Sequence, residues 1–182
     1  MRRYFHLDTA AVNGEDTNLQ LYSLRKARRN WAKLVRDYAE YGDDTDYLRE
    51  RCVFVLATLG LSISQLLGQN DPSVGADVRY PIQIFNAFVD AHGLDADLKR
   101  QFERFNYFYN GCRHFGKTTT GKGYKRIEEV TFPVARECYE FGLTVWRTVI
   151  GVYRDEVGNE LDDLDVDELT RIPNKAIDSD EE

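Results

Sequence analysis

The 182-residue sequence predicts an all-α fold: an antiparallel bundle of four to five helices with a short N-terminal arm and an acidic C-terminal tail. Three observations carry this expectation. Apolar residues return at three- and four-residue steps through most of the chain, the period of a helix with one buried face. Turn-forming residues gather at only a few places and leave long uninterrupted segments between them. No run of strict alternation marks a strand, so the helices have only one another to bury against. With 42% apolar residues, the length fits one domain with its own core, divided as arm 1–16, bundle 17–155 and tail 156–182.

The first helix is expected over about 17–41, where Leu24, Ala27, Trp31, Leu34, Val35 and Tyr38 form the apolar stripe. Asp16 or Thr17 can cap its start and Gly42 its end. The second is expected over about 44–68, begun by Asp43, Asp44 and Thr45 and stopped by Gly68 to Pro72. Its middle is apolar nearly all round, which marks it as the central, most buried helix. After a loop with Pro72, Gly75 and Pro81, a shorter helix over 82–91 ends at Gly93. Asp95 then caps a fourth helix reaching about Phe115. Residues 116–123, Gly-Lys-Thr-Thr-Thr-Gly-Lys-Gly, read as a flexible basic loop. The last helix starts near Thr131, tolerates Pro133 in its first turn, and carries Cys138, Phe141, Val145, Val149 and Val152 to about Asp155. Residues 144–152 are rich in β-branched side chains, but their helical spacing outweighs any alternation.

The formal charge of −7 is unevenly placed. Residues 155–182 hold 12 Asp or Glu against Arg171 and Lys175, whereas the other 154 residues hold 22 basic and 19 acidic groups. A mildly basic body therefore trails an acidic tail. Such a tail can stay solvated, dock on a partner protein, or fold over the basic surface and compete with an anionic ligand. Cys52, Cys112 and Cys138 are odd in number and form no Cys-x-x-Cys pair, as expected of reduced thiols in a cytoplasmic protein. The start, Met1-Arg2-Arg3-Tyr4-Phe5-His6, has no apolar run behind its charges, so no export signal is read there. Residues 52–67 are interrupted by Thr58, Ser62, Ser64 and Gln65 and fall short of the roughly 20 residues a bilayer span needs, so no membrane segment is expected.

Two constellations can carry chemistry. In the first helix Arg25, Lys26, Arg29, Lys33 and Arg36 fall opposite Leu24, Trp31, Val35 and Tyr38, with no acid between residues 25 and 36. This makes a positive stripe on which RNA could lie. In the fourth, Phe105, Phe108, Cys112 and Phe115 share an apolar stripe, while Asn106, Asn110, Arg113, His114 and Lys117 gather on another side. A histidine can exchange a proton near neutral pH, an arginine can stabilise phosphate charge, and an asparagine can orient a hydroxyl. These roles suffice for metal-free RNA cleavage by attack of the 2′-hydroxyl, with His114 as acid/base, Arg113 as phosphate stabiliser, Asn110 as orienting group, and Arg104 or Lys117 assisting. Residues 111–118, Gly-Cys-Arg-His-Phe-Gly-Lys-Thr, match a phosphate-loop pattern by letter. They follow a helical segment rather than an apolar strand, and their interior is bulky, which argues against nucleotide binding. His6 and His92 pair with nothing in sequence, and neither a metal site nor a cofactor is expected.

A bundle whose penultimate long helix ends in Tyr109-Asn110-Gly111-Cys112-Arg113-His114-Phe115-Gly116, followed by a loop and a long final helix, resembles the HEPN superfamily over about residues 17–155. The resemblance implies a helical bundle that forms homodimers, brings two such motifs together, and binds or cleaves RNA in bacterial toxin–antitoxin or phage-defence systems. The Arg-to-His spacing of HEPN ribonucleases is not kept: Arg113 adjoins His114, and Arg104 lies ten positions upstream. The functional expectation is an RNA-binding protein or metal-independent endoribonuclease. The alternative is a non-enzymatic helical module that binds protein, with the acidic tail as a docking or autoinhibitory segment.

Overall fold

The computed structural model describes residues 11–12, 15–16, 19–42, 45–67, 81–113 and 127–157. Expectations that fall on the first ten residues, Thr17, Asp43, Asp44, the 68–80 loop, His114, Phe115, the 116–123 loop and the tail beyond Val157 lie outside them. The described residues are helical apart from one two-residue antiparallel ladder, β1 (Ala11–Val12) with β2 (Glu15–Asp16). Asp16 therefore sits in β2 rather than at a helix start.

The helices are α1 (Leu19–Tyr41), α2 (Thr45–Leu67), α3 (Pro81–Ala91), α4 (Asp97–Arg113) and α5 (Phe132–Val157). Their ends have local causes. Gly42 adopts φ 68° and its N–H donates to the Tyr38 carbonyl at 2.9 Å, closing α1 with the left-handed residue that glycine accommodates without a Cβ penalty. Pro81 opens α3, where its missing N–H costs nothing, and Gly93 closes the turn after it at φ 60°. The Asp95 carboxylate accepts from the Asp97 N–H at 2.9 Å, the expected cap of α4. In α5 the Ala135 N–H donates to the Thr131 carbonyl at 2.9 Å, with Pro133 inside the first turn.

α2 packs against all four other helices. Leu48, Cys52, Val55, Leu56, Leu59, Ile63, Leu66 and Leu67 bury its inner sides. α1 folds back along it. Ser23 Oγ donates to Gln65 Oε1 at 2.8 Å, Asn30 Nδ2 to Thr58 Oγ1 at 3.3 Å, and Tyr47 OH to Asp37 Oδ2 at 3.1 Å, so the start of α1 meets the end of α2. α5 crosses the other side of α1 through stacked rings: Trp31 on Tyr139 at 4.5 Å and Tyr38 on Phe132 at 3.8 Å. Trp146 Nε1 donates to the buried Ser62 Oγ at 3.2 Å and ties α5 to α2. Phe85 of α3 stacks on Phe102 of α4 at 4.4 Å, and Phe141 of α5 meets both rings.

Three further details differ from the sequence reading. α2 is central but is not buried all round: Tyr47, Phe54 and Leu61 are 48%, 56% and 47% exposed. Its 46–67 stretch is also long and apolar enough to cross a membrane by length and composition, where the interrupted 52–67 run had read as too short; half of the apolar window is buried inside the bundle. α5 continues to Val157, two residues beyond the expected end.

Candidate functional site

The period of α1 divides it into two faces. Leu24, Ala27, Trp31 and Leu34 are 0–2% exposed and point into the core, while Arg25, Lys26, Arg29, Lys33 and Arg36 are all exposed. The stripe spans twelve residues, 25–36, about 17 Å at the helical rise of 1.5 Å. Among the described residues Lys26, Arg29, Lys33 and Arg36 form no ion pair, so four of the five cations keep their charge for a ligand. The one buried acid on this helix, Asp37, borders the stripe on its α2 side and is already engaged there: it accepts from Tyr47 OH and lies 3.4 Å from Arg51 Nε.

Beside this stripe stands a second one that the sequence reading missed. Ser23, Asn30 and Asp37 mark the contact line of α1 with α2. Lys26 and Lys33 lie three residues further along and so flank that line on its outer side. On α2 the same line is marked by Arg51, Thr58 and Gln65, flanked by Phe54 and Leu61, with Tyr47 donating across it. The result is a ridge of cations next to a ridge of apolar side chains on one outer face of the α1–α2 pair. The seven-residue recurrence of Tyr47, Phe54 and Leu61 was present in the sequence, but in a helix apolar nearly all round it could not be told from core. At the end of the ridge Arg51 donates to Tyr47 OH at 2.8 and 3.1 Å and stands 5.0 Å from that ring, fixing the tyrosine.

In the last turn of α4, Asn110 is half-buried and Arg113 exposed, and the helical period puts them on one side with Asn106. Phe105, Phe108 and Cys112 form the buried stripe as expected. Gly111, Cys112 and Arg113 continue a helix, and the segment before them is helix rather than strand, so the structure does not give this stretch the strand that a phosphate loop follows. His114 and Lys117 lie outside the described residues.

Arg104 sits elsewhere. Its Nε and NH2 grip both carboxylate oxygens of Glu137 at 2.5 and 2.9 Å, and that hydrogen bonding raises its pKa further. The pair stands over a cleft of about 240 Å³ between α4 and α5, bordered by Gln101, Phe105, Cys138, Glu140, Phe141 and Thr144. The volume lies below the usual range for small-molecule sites, about 300–1,000 Å³. The Cys138 thiol is not a ready nucleophile, because burial pushes it up to about 12 and keeps it protonated. Burial does the same to Cys52 and Cys112, and all three cysteines are free. Of the aromatic residues of α4, Phe102, Phe105, Phe108 and Tyr109 are buried in the core. Tyr107 is 37% exposed and donates to Glu129 at 3.1 Å. Among the described residues no group of three or more His, Cys, Asp and Glu is placed to hold a metal ion.

Comparison with protein-family models, with curated proteins and with solved structures yields no match to this chain.

Proposed function

We propose that this protein binds RNA along the exposed cationic stripe of α1, as an HEPN-like antiparallel helical bundle acting in a bacterial or phage toxin or defence system. One observation carries the reading: Arg25, Lys26, Arg29, Lys33 and Arg36 are all exposed on a single helical face. Four of them hold no carboxylate among the described residues. Cations left unneutralised along about 17 Å of a rigid helix present regularly spaced charge to a phosphate backbone, and binding releases the counterions that backbone condenses. The reading includes a cytoplasmic homodimer, with cleavage, where it occurs, assigned to His114, Arg113 and Asn110 and assisted by Arg104 or Lys117 without a metal.

The test is a titration of fluorescent single-stranded RNA with the full chain at two salt concentrations. Affinity should fall steeply between about 50 and 200 mM salt, and Lys33→Ala should reduce the salt slope by about one contact. No retention of RNA at low salt refutes the reading. Incubation of the same RNA tests catalysis separately: His114→Ala should abolish cleavage without lowering the melting temperature, and undiminished cleavage removes His114 from the site.

A second reading is favoured by the exposed Tyr47, Phe54 and Leu61. Apolar side chains in a row at the surface are how helical modules take up a partner's helix or segment. In that reading the protein is a non-enzymatic interaction module with no affinity for nucleic acid.

A further inference from the structure

The outer face of the α1–α2 pair combines two chemistries, cations on one ridge and apolar side chains on the next, and a ligand that satisfies both must be anionic and apolar at short intervals. The chain contains such a segment. Beyond Val157 it continues for 25 residues, of which ten are Asp or Glu and two are Arg or Lys. Leu161, Leu164 and Leu169 stand among Asp162, Asp165 and Glu168. We infer that residues 158–182 dock on the α1–α2 face of their own chain, seating these leucines against Phe54 and Leu61 and their carboxylates against Lys26 and Lys33. The segment thereby competes with a polyanion for the stripe. The inference deepens the RNA-binding reading and rests on it for the competition, though not for the docking.

The segment starts at the right end of the bundle. Ring stacking pairs Tyr38 with Phe132 and Trp31 with Tyr139, so advancing along α5 retreats along α1. The C-terminal end of α5 therefore reaches the end of the bundle where α1 begins and α2 finishes, the end nearest Arg25, Lys26 and Leu61. From there the stripe extends only about 17 Å, whereas 25 residues can span up to about 80 Å when extended. Reach is ample and the link is short, so the segment acts at an effective concentration of about millimolar. A contact with an intrinsic dissociation constant near 0.1 mM then weakens a competing ligand about tenfold.

The decisive experiment is zero-length carbodiimide cross-linking of the full-length protein, with ¹⁴N- and ¹⁵N-labelled chains mixed before reaction. Expected products join Lys26 or Lys33 to Asp162, Asp163, Asp165, Asp167 or Glu168 within one isotopic label. Their yield should fall at least fivefold in Phe54→Ser/Leu61→Ser, which changes exposed side chains only. Products joining the two labels assign the face to a second copy and overturn the inference, as does the absence of any tail-to-α1 product. Undiminished yield in the double serine variant overturns the apolar seat. In parallel, poly-uridylate binding is compared between the full chain and D162N/D163N/D165N/D167N/E168Q, with an expected gain of about tenfold from the tethering estimate. Equal RNA affinity in the two, without cross-links, refutes the docking alone. Absence of RNA binding in both refutes the RNA reading, while the cross-links still decide the docking.

Discussion

Replacing Gly60 by alanine sets two effects of opposite sign against each other. Gly60 lies within α2, and alanine in a helix interior is favoured over glycine by about 1 kcal/mol, so propensity alone predicts a more stable protein. The packing predicts the reverse. A Cβ at Gly60 would stand 2.1 Å from Cδ2, 2.3 Å from Cε2 and 2.6 Å from Cγ of Tyr109. These atoms are the body of a ring and not a flexible tip. Tyr109 is only 4% exposed, stacks on Phe105 with centroids 6.1 Å apart, and its hydroxyl meets Ser64 at 3.5 Å. It cannot yield without moving α4 from α2. Overpacking a core by one methyl costs about 1–3 kcal/mol, and three sub-contact distances place this site at the upper end. The net expectation is a loss of about 1–2 kcal/mol after propensity is subtracted, or about 2–8 °C in melting temperature for a chain of this size. Gly151→Ala is the matched control: a Cβ there meets nothing within 4 Å, so stability should rise by about 0.5–1 kcal/mol. Urea denaturation followed by circular dichroism reads both. If Gly60→Ala stabilises as much as Gly151→Ala, the close approach of α2 and α4 is wrong.

The three buried thiols give a pH dependence. Their ordinary value of 9.0 rises to about 12 in the fold, so the unfolded chain loses these protons first. Their contribution is complete below pH 9 and is lost as pH climbs toward about 12, by at most about 1.4 kcal/mol per pH unit for each thiol. Urea midpoints at pH 8 and pH 10 measure this, with Cys112→Ala removing about a third of the thiol slope; a slope unchanged in Cys112→Ala contradicts the burial. The Arg104–Glu137 pair is about half exposed on both sides, so Arg104→Ala should change stability by less than about 1 kcal/mol. Glu137→Gln frees the guanidinium, and if Arg104 assists in RNA binding, anisotropy should show tighter binding by that variant. Unchanged affinity removes Arg104 from the interface.

The helices were legible because their ends are written in residue types with one local use: Gly42 and Gly93 at positive φ, Asp95 as a cap, Pro133 in a first turn; Pro81, read as the end of the preceding loop, instead opens α3. The basic stripe was legible for the same reason, since α1 has a clean amphipathic period and charge alone assigns its outer face. α2 was not. In a helix whose sides are nearly all apolar, periodicity cannot say which side lacks a neighbour, and only the packing of α1, α4 and α5 around it isolates Tyr47, Phe54 and Leu61. Arg104 shows the other limit. Its sequence neighbours place it near the polar side of α4, but its partner Glu137 is 33 residues away on α5, a distance no local pattern spans. The catalytic assignment has the same character, since Asn110 and Arg113 share a face by helical arithmetic while His114 falls just beyond the last described turn.

The packing beneath the stripe makes a last prediction that separates support from surface. Trp31 and Tyr139 stack at 4.5 Å with planes 11° apart, and both are 2% exposed or less. Among the described residues neither the indole N–H nor the phenol hydroxyl has a hydrogen-bond partner. A buried polar group without a partner costs about 1–3 kcal/mol, yet the two sites should respond differently to its removal. Tyr139→Phe deletes the hydroxyl and keeps the ring on Trp31, so stability should rise by up to about 1 kcal/mol. Trp31→Phe also deletes the unpaired donor, but it removes half of the indole and leaves a cavity under α1. The loss should then be about 2 kcal/mol or more, by analogy with other large-to-small core changes. Neither variant alters an exposed charge, so RNA affinity measured well below the melting temperature should stay within twofold of the parent in Tyr139→Phe. A loss of stability in Tyr139→Phe would show that the hydroxyl is bonded after all. A loss of RNA affinity there, with the fold intact, would mean that binding depends on the interior of the bundle and not on the cations that α1 holds out from it.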